Sequence, residues 1–125
     1  MSDVIRISEQ GKRQLIGIKR STKINRWNVL CRWAMCISLR EAHTPPEFDL
    51  GPMSNVEMTW ETFAGPYNTL FIALLRSNIS ANYKTTQFEY HQIATSHIHR
   101  GISVLSHNKV DLLKLVTHGL KTKTQ

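Results

Sequence analysis

Cysteine is scarce in this sequence, and long apolar runs are missing. The two cysteines, Cys31 and Cys36, are five positions apart, which places them about 140° from each other on a helix. That spacing suits neither a local disulfide nor a shared metal ion, so we expect two small core residues in a reducing compartment. No apolar run approaches the roughly 20 residues of a membrane span, and the N-terminus has no apolar signal region. The sequence predicts a cytoplasmic protein.

Motifs of catalysis and nucleotide binding are missing as well. The chain contains no Walker-type phosphate loop, no GxGxxG, no CxxC and no HExxH. Glu57 and Glu61 fall on the solvent side of a predicted strand, with no third metal ligand near them in the sequence. His97 and His99 would face about 200° apart on a helix, so we expect one to pack in the core and the other to reach a phosphate or a partner. We predict no catalytic residue, no metal and no cofactor.

Acidic residues are few, and they are unevenly distributed in a chain with a net charge of +7. Residues 1–40 carry nine Lys or Arg and two acids, whereas residues 41–66 carry five acids and no Lys or Arg. Residues 67–125 carry seven basic residues and two acids. Such an imbalance usually marks a surface for a polyanion, most often nucleic acid. The alternative is a solvated helix face.

The length of 125 residues fits one domain with a hydrophobic core. The spacing of apolar residues predicts a mainly α protein, a compact helical domain with one or two short strands. Ser8 is placed to cap the first helix and Asn25 the second. The predicted elements are a strand over 4–8, helices over 9–20 and 26–41, a loop over 43–52, a strand over 56–61, helices over 68–76, 87–107 and 110–120, and a frayed tail over 121–125.

The first predicted helix carries a strip of basic side chains. Lys12 and Lys19 are seven positions apart, as are Arg13 and Arg20, so the four fall within an arc of about 120°. We define the basic face as these four residues together with the cations that follow them, and we expect it to contact phosphates. Its members are Lys12, Arg13, Lys19, Arg20, Lys23 and Arg26, with Arg6 as a weaker addition.

The second predicted helix is apolar on almost every side, with polar relief mainly from Asn28, Arg32, Ser38 and Arg40. A helix of this kind must be covered nearly all round, and a chain of this length has limited material to do so. We therefore expect part of the helix to lie in a subunit interface. An alternative role for Trp27 and Trp33 is base stacking, which their aliphatic neighbours make the weaker interpretation. The expected interface residues are Trp27, Leu30, Trp33, Ala34 and Ile37.

Several segments together resemble the DndE family of DNA phosphorothioation, or DNA sulfur modification, proteins. The most specific strings are Trp-Asn-x-Leu-Cys-Arg-Trp-Ala, beginning at Trp27, and Ser-Asn-Val-Glu-Met-Thr-Trp, beginning at Ser54. The resemblance extends over about residues 4–105. The segments that carry it are 5–8, 15–20, 25–36, 54–63 and 97–102.

The resemblance implies a small, non-catalytic DNA-binding subunit with ribbon-helix-helix character at its N-terminus. It also implies association into a homotetramer, a preference for nicked duplex, and partners that perform the sulfur chemistry, among them an adenylylsulfate-reductase-like protein and an ATPase. Two features depart from the family pattern. Lys23 stands where a glycine is expected, and residues 110–125 lie outside the resemblance.

Three other functions are compatible with the sequence. One is a ribbon-helix-helix transcriptional regulator, in which Arg6 and Ser8 would read bases from a paired strand. Another is a DNA-nicking enzyme, which would require a nucleophile or a metal. The third is a structural subunit whose basic face binds an acidic protein partner.

Overall fold

Two short strands and five α-helices form the part of the chain that a computed structural model describes, residues 4–41, 43, 45, 49–78 and 90–107. The mainly α fold is confirmed. In order, the elements are β1 (Val4–Ser8), α1 (Glu9–Thr22), α2 (Trp27–Leu39), β2 (Met53–Thr59), α3 (Trp60–Ala64), a 3₁₀ turn (Gly65–Tyr67), α4 (Asn68–Asn78) and α5 (Tyr90–His107).

The β1 strand pairs with β2 in an antiparallel, two-stranded sheet. Ile5 lies opposite Met58 and Arg6 opposite Glu57, and the register shifts between Arg6 and Ser8. Ile5 and Ile7 are fully buried whereas Arg6 is exposed, so the predicted alternation is confirmed. The strand–helix–helix order expected at the N-terminus is present, and the second strand of its ribbon comes from the same chain.

The α1 helix begins as its sequence predicts. The Ser8 hydroxyl oxygen accepts a hydrogen bond from the backbone N–H of Gly11 at 3.0 Å, which satisfies one of the free amides of the first turn. The helix runs to Thr22, two residues beyond the predicted end. It stops at Lys23, whose backbone lies in the left-handed region with φ of 65°.

Four predicted boundaries at α2 and β2 are wrong, among them the start of β2, which lies at Met53 rather than at Val56. The α2 helix begins at Trp27 after Arg26, which has no capping side chain, so Asn25 is not its cap. Its last residue is Leu39 rather than Glu41. The second strand ends at Thr59 because the Thr59 hydroxyl accepts from the Thr62 N–H at 3.1 Å and starts α3.

The remaining helices agree with the predicted positions. The α4 helix starts at Asn68 as expected and extends two residues further, to Asn78. The α5 helix ends at His107 as predicted, whereas residues 87–89 of that predicted helix lie outside the described residues. The predicted terminal helix over 110–120 and the tail over 121–125 also lie outside them.

The core is centred on the crossing of α2 and α5. Gly101 lies directly against the backbone of Ala34, so that a Cβ on Gly101 would overlap the Ala34 carbonyl oxygen. Both residues are buried. Ile98 and Ile102 flank the crossing and are fully buried. The two helices therefore approach at backbone distance, which only small residues permit.

A buried polar network lies beside this crossing. The Ser38 hydroxyl lies 2.8 Å from His97 Nδ1, and Arg100 Nε donates to the same hydroxyl oxygen at 2.7 Å. Arg100 also donates to the backbone carbonyls of Ser38 and His43. Since the Ser38 oxygen already accepts from Arg100, its proton is available to donate to His97 Nδ1. This arrangement favours neutral His97.

The second buried histidine joins α5 to the start of α1. His99 Nε2 accepts from the Ser8 backbone N–H at 3.0 Å, and its Nδ1 lies 2.8 Å from the Thr95 carbonyl oxygen. An accepting Nε2 requires the proton on Nδ1, which then donates to Thr95. The two histidines do face different elements, as their spacing predicts. Both are buried, however, so the expectation that one of them reaches a phosphate or a partner is wrong.

The cysteine prediction is half confirmed. Cys31 and Cys36 are both free thiols, with Cys31 buried and Cys36 exposed. Burial raises the pKa of the Cys31 thiol to about 12, so Cys31 remains protonated as a small core residue. Cys36 lies on the other side of α2, which the core of the described chain does not cover.

The Gly101→Ala substitution should destabilise the fold by about 3 kcal/mol, the upper end of the usual cost of overpacking, because the added methyl group meets rigid backbone rather than a movable side chain. The measurement is the free energy of unfolding in urea. Gly51→Ala is the matched control: its Cβ would meet nothing within 4 Å, and only its φ of 75° carries a cost, about 1 kcal/mol. Equal losses in the two variants would contradict the close crossing.

The stability of the protein should fall as the pH drops from about 6.5 to about 4. Burial and the nearby Arg100 guanidinium lower the pKa of His97 from 6.5 to about 4. Between these two pH values the unfolded chain binds a proton at His97 and the folded chain does not. The stabilisation that neutral His97 provides above pH 6.5 is therefore lost progressively as the pH falls toward about 4. Denaturation at about pH 7 and about pH 4.5 measures the loss, which is on the order of 3 kcal/mol for His97.

A pair of variants isolates the contribution of His97 to this pH dependence. His97→Asn should lose that contribution, whereas His107→Gln, which alters an exposed histidine, should retain it. A His97→Asn protein with the full wild-type pH dependence would assign the effect to other groups.

Candidate nucleic-acid interface

The cations of the basic face lie along α1 and at the start of α2, and most of them are exposed. Arg13, Arg20, Lys23 and Arg26 are exposed, whereas Lys12 and Lys19 are half-buried. Among the residues that the structure describes, none of these six forms an ion pair. The basic face is therefore a surface of uncompensated positive charge.

Arg6 differs from the others. It lies on β1 and forms an ion pair with Glu57 on β2, with Nε and Oε2 3.5 Å apart and both side chains more than half exposed. An exposed pair of this kind contributes little stability, but the carboxylate reduces the field that Arg6 presents to a phosphate. This pairing is a physical reason to expect a weaker role for Arg6 than for the other predicted cations.

A polar groove opens beside the basic face, between the start of α2 and the strand β2. It encloses about 600 Å³. Two of its lining residues, Lys12 and Arg26, belong to the basic face, and three are asparagines. Glu57, the ion-pair partner of Arg6, also lines it, so one carboxylate lies among these cations. Its other lining residues include Lys12, Asn25, Arg26, Trp27, Asn28 and Asn55.

Two lysines are held in place at this groove by neighbouring side chains. Lys12 Nζ donates to Asn55 Oδ1 at 2.7 Å, which ties α1 to β2. Lys19 Nζ lies 4.1 Å from the centre of the Trp27 ring, a cation–π contact. Since Lys19 covers one face of the half-buried Trp27, that face is unavailable for stacking with a base.

The start of α2 adds positive potential to the same region. Arg26 precedes the helix without a side-chain hydrogen bond to the first amides. Uncapped N–H groups at a helix start favour anions. The side chain of Asn28 donates to the Thr62 carbonyl, so that asparagine serves to hold α3 against α2.

The predicted interface residues divide into two groups. Leu30 and Ala34 are fully covered by the chain's own core, so they are unavailable to a partner, and including them in an interface is wrong. Trp27 and Ile37 are half-buried, and Trp33 is exposed. The apolar character of α2 is thus explained in part by α5, which covers one side of it.

Sequence reasoning missed the structural roles of Arg32 and Asn55. Arg32 Nε donates to the Phe63 carbonyl, and Nη2 donates to the Thr62 carbonyl, which satisfies free carbonyls at the end of α3. Asn55 positions Lys12. Both lie within the two specific strings that begin at Trp27 and Ser54, so those strings were the available signal.

Within the described ranges, no three His, Cys, Asp or Glu side chains lie together as a metal site. No described helix combines the length and apolar character required to cross a bilayer.

The fold and this surface define a class: small, mainly helical strand–helix–helix proteins with an uncompensated basic face. The model of one family, described as DNA sulphur modification protein DndE, matches residues 4–111. The chain belongs to the DndE family. The match begins where the sequence resemblance begins and extends six residues beyond its predicted end at 105.

Solved structures agree with this fold. A DndE mutant with two glycines changed to lysine, described as involved in DNA phosphorothioation, is 18% identical with a TM-score of 0.64, over 86% of this chain and 99% of that chain. DndE from Escherichia coli B7A, described as involved in DNA phosphorothioation modification, is 21% identical with a TM-score of 0.63, over 84% of this chain and 98% of that one. No curated protein matches the chain.

Replacing Lys23 with glycine should stabilise the fold. Because Lys23 has a φ of 65°, Lys23→Gly should raise the free energy of unfolding by about 1 kcal/mol. Lys23→Ala removes the same charge without relieving the backbone, so it should bring no gain in stability. Urea denaturation of both variants measures the difference. A Gly variant no more stable than the Ala variant would contradict the strain at this turn.

Proposed function

We propose that this protein is a non-catalytic DNA-binding subunit of the DNA phosphorothioation system, acting in the cytoplasm. It holds duplex DNA through the phosphates, while partner proteins replace a phosphate oxygen with sulfur. The partners implied by the family resemblance are an adenylylsulfate-reductase-like protein and an ATPase. The nicked-duplex preference that the resemblance implies is part of the proposal.

One observation carries this proposal. The six cations of the basic face lie on one side of α1, two turns apart, and at the segment that joins α1 to α2, and none of them is paired with an acid within the described chain. The alternative of a solvated helix face usually mixes opposite charges along the helix. On α1 the only acid is Glu9, at the far end of the helix from Lys19 and Arg20.

The chemistry of the surface favours positioning over base recognition. Lysine and arginine contacts to phosphates fix the orientation of a protein on duplex DNA without reading its sequence. Asn28 and Asn55, which could read base edges, are already hydrogen bonded to Thr62 and Lys12. We infer that any sequence specificity belongs to another subunit.

The geometry disfavours the ribbon-helix-helix regulator. That function needs Arg6 and Ser8 to project into a groove of DNA. Ser8 is buried, its hydroxyl caps α1, and its backbone N–H donates a hydrogen bond to His99 Nε2. Arg6 is paired with Glu57 across the two strands.

Self-association into a homotetramer remains a prediction from the resemblance. Of the interface residues expected from the sequence, Trp27, Trp33 and Ile37 retain accessible surface. Sedimentation over a concentration series measures the oligomeric state independently of DNA binding.

The experiment that tests the function is titration of labelled duplex, intact and nicked, across a salt series. We expect log K to fall steeply with log salt for the wild-type protein. A triple variant, Arg13, Arg20 and Arg26 to Ala, should flatten that slope by roughly 3 units, about 0.9 for each lost phosphate contact. These three residues are exposed, so their removal should leave the fold intact.

The matched control is Arg76→Ala, an exposed cation on α4 that lies outside the basic face. Its slope should equal that of the wild type. If the wild-type protein binds neither the intact nor the nicked duplex, the proposal is overturned. The basic face would then be assigned to an acidic protein partner. Equal slopes for the triple variant and the control would place the DNA on another surface.

A further inference from the structure

The polar groove beside the basic face contains more hydrogen-bond donors than the fold uses. Lys12 Nζ donates to Asn55 Oδ1 at 2.7 Å, and an ammonium group has two further protons to donate. Because the amide oxygen of Asn55 faces the lysine, its Nδ2 group is left as a second donor. Within the described chain, no residue accepts from this Nδ2 group. The exposed Arg26 guanidinium at the same groove has no partner among the described residues either.

The first turn of α2 adds backbone donors to the same groove. Trp27 and Asn28 line it, and the Leu30 N–H is the first of the helix to reach back, to the Arg26 carbonyl. The amides of residues 27–29 come before that bond, and the Arg26 side chain does not cap them. Free amides at a helix start carry partial positive charge. They supplement the two cations rather than form a site by themselves.

The acceptors in the polar groove are fewer than the donors. Among its described lining residues, Glu57 is the one acid. Its Oε2 lies 3.5 Å from Arg6 Nε, so the arginine partly compensates the charge of this carboxylate. The side chain of Asn28 already donates to the Thr62 carbonyl. An excess of donors and of positive charge in a recess favours an anionic ligand with several acceptor oxygens.

The recess favours a phosphate at the end of a strand over one within a strand. The groove encloses about 600 Å³, a size typical of small-ligand sites, and Lys12 in its wall is half-buried. An internal phosphate of a duplex has a sugar on each side and lies on the outer surface, within reach of the exposed Arg13 and Arg20. A terminal phosphate is attached on one side only, so it can enter a recess. It also carries a charge of about −2 and three strong acceptor oxygens.

We propose that the polar groove binds a phosphomonoester at the end of a DNA strand, as a break in the duplex presents it. The inference rests on the proposed function, because the basic face must hold the duplex for a strand end to reach the groove. Lys12, Arg26 and the Asn55 Nδ2 group would contact the terminal phosphate oxygens. Asn55 is also a positioning residue, since its Oδ1 holds the Lys12 ammonium at the groove.

A nucleobase fits the polar groove less well than a phosphate. Recognition of adenine by an asparagine uses the donor and the acceptor of the same amide, and Lys12 already occupies the acceptor of Asn55. Lys19 Nζ lies 4.1 Å from the centre of the Trp27 ring, so that face of the ring cannot stack on a base. Neither obstacle affects a phosphate, which needs only donors.

The test uses dumbbell duplexes, closed by a loop at each end, so that a nick supplies the only strand ends. Three nicked duplexes of one sequence carry a 5′ phosphate, a 3′ phosphate or hydroxyls alone, and a fourth duplex is intact. Fluorescence anisotropy of a label in one loop measures binding across a salt series. A nick with a terminal phosphate should bind about tenfold more tightly than the hydroxyl nick, because charge-assisted hydrogen bonds are the stronger kind. The phosphorylated end that gives the preference is the ligand of the groove.

Two variants separate the polar groove from the basic face. Asn55→Ala leaves every cation in place but frees Lys12, so the phosphate preference should fall to about twofold, while the salt slope for intact duplex stays at its wild-type value. Arg13→Ala removes a cation of α1 that does not line the groove. It should flatten the slope by about 0.9 and keep the full phosphate preference. Both side chains are exposed, so both variants should retain the fold.

The outcomes distinguish failure of this inference from failure of the proposed function. Equal affinity for the phosphorylated and hydroxyl nicks would overturn the assignment of the groove, and the proposed function would stand if intact duplex is bound with a steep salt slope. Wild-type protein that binds none of the four duplexes would overturn both. An Asn55→Ala protein with the full phosphate preference would also overturn the assignment, because the terminal phosphate would then be bound elsewhere.

Discussion

The close crossing of α2 and α5 is the constraint on which the rest of the structure depends. At the crossing, the backbone of Gly101 lies against the carbonyl of Ala34. A side chain at position 101 would therefore require one of the helices to move. That approach brings Ser38 to His97 and Arg100. It also sets the position of His99, which bonds the amide of Ser8 at the junction of β1 and α1. The orientation of α1, and with it the basic face, follows from contacts made by α5.

The α2 helix serves two surfaces because it is apolar on both sides. Leu30, Cys31 and Ala34 are covered by the core, whereas Val29, Trp33 and Ile37 line a groove between α2 and α4. The start of the same helix contributes Arg26 and Trp27 to the polar groove. One rigid element thus connects the core and the proposed DNA surface.

Local signals predicted the elements well and their boundaries less well. The alternation of β1, the Ser8 cap and the mainly α fold are all present, since each depends on residues within a few positions of one another. Thr59 illustrates the failures: it continues the alternation of β2, yet its hydroxyl caps α3. The histidines were misjudged because their partners, Ser38 and Ser8, are 59 and 91 positions away in the sequence. No periodicity within α5 reveals such partners.

The family, the helical class and the concentration of positive charge along α1 could all be predicted from the residues alone. These follow from motif strings and from the side chains that neighbouring turns present, which the tertiary structure cannot change. The pairing of Arg6 with Glu57, and the pairing of β1 with β2 of the same chain, depend instead on the tertiary structure. It also decided which side of α2 remains uncovered. Those outcomes depend on which backbones approach one another, and here a single glycine at a helix crossing set that approach.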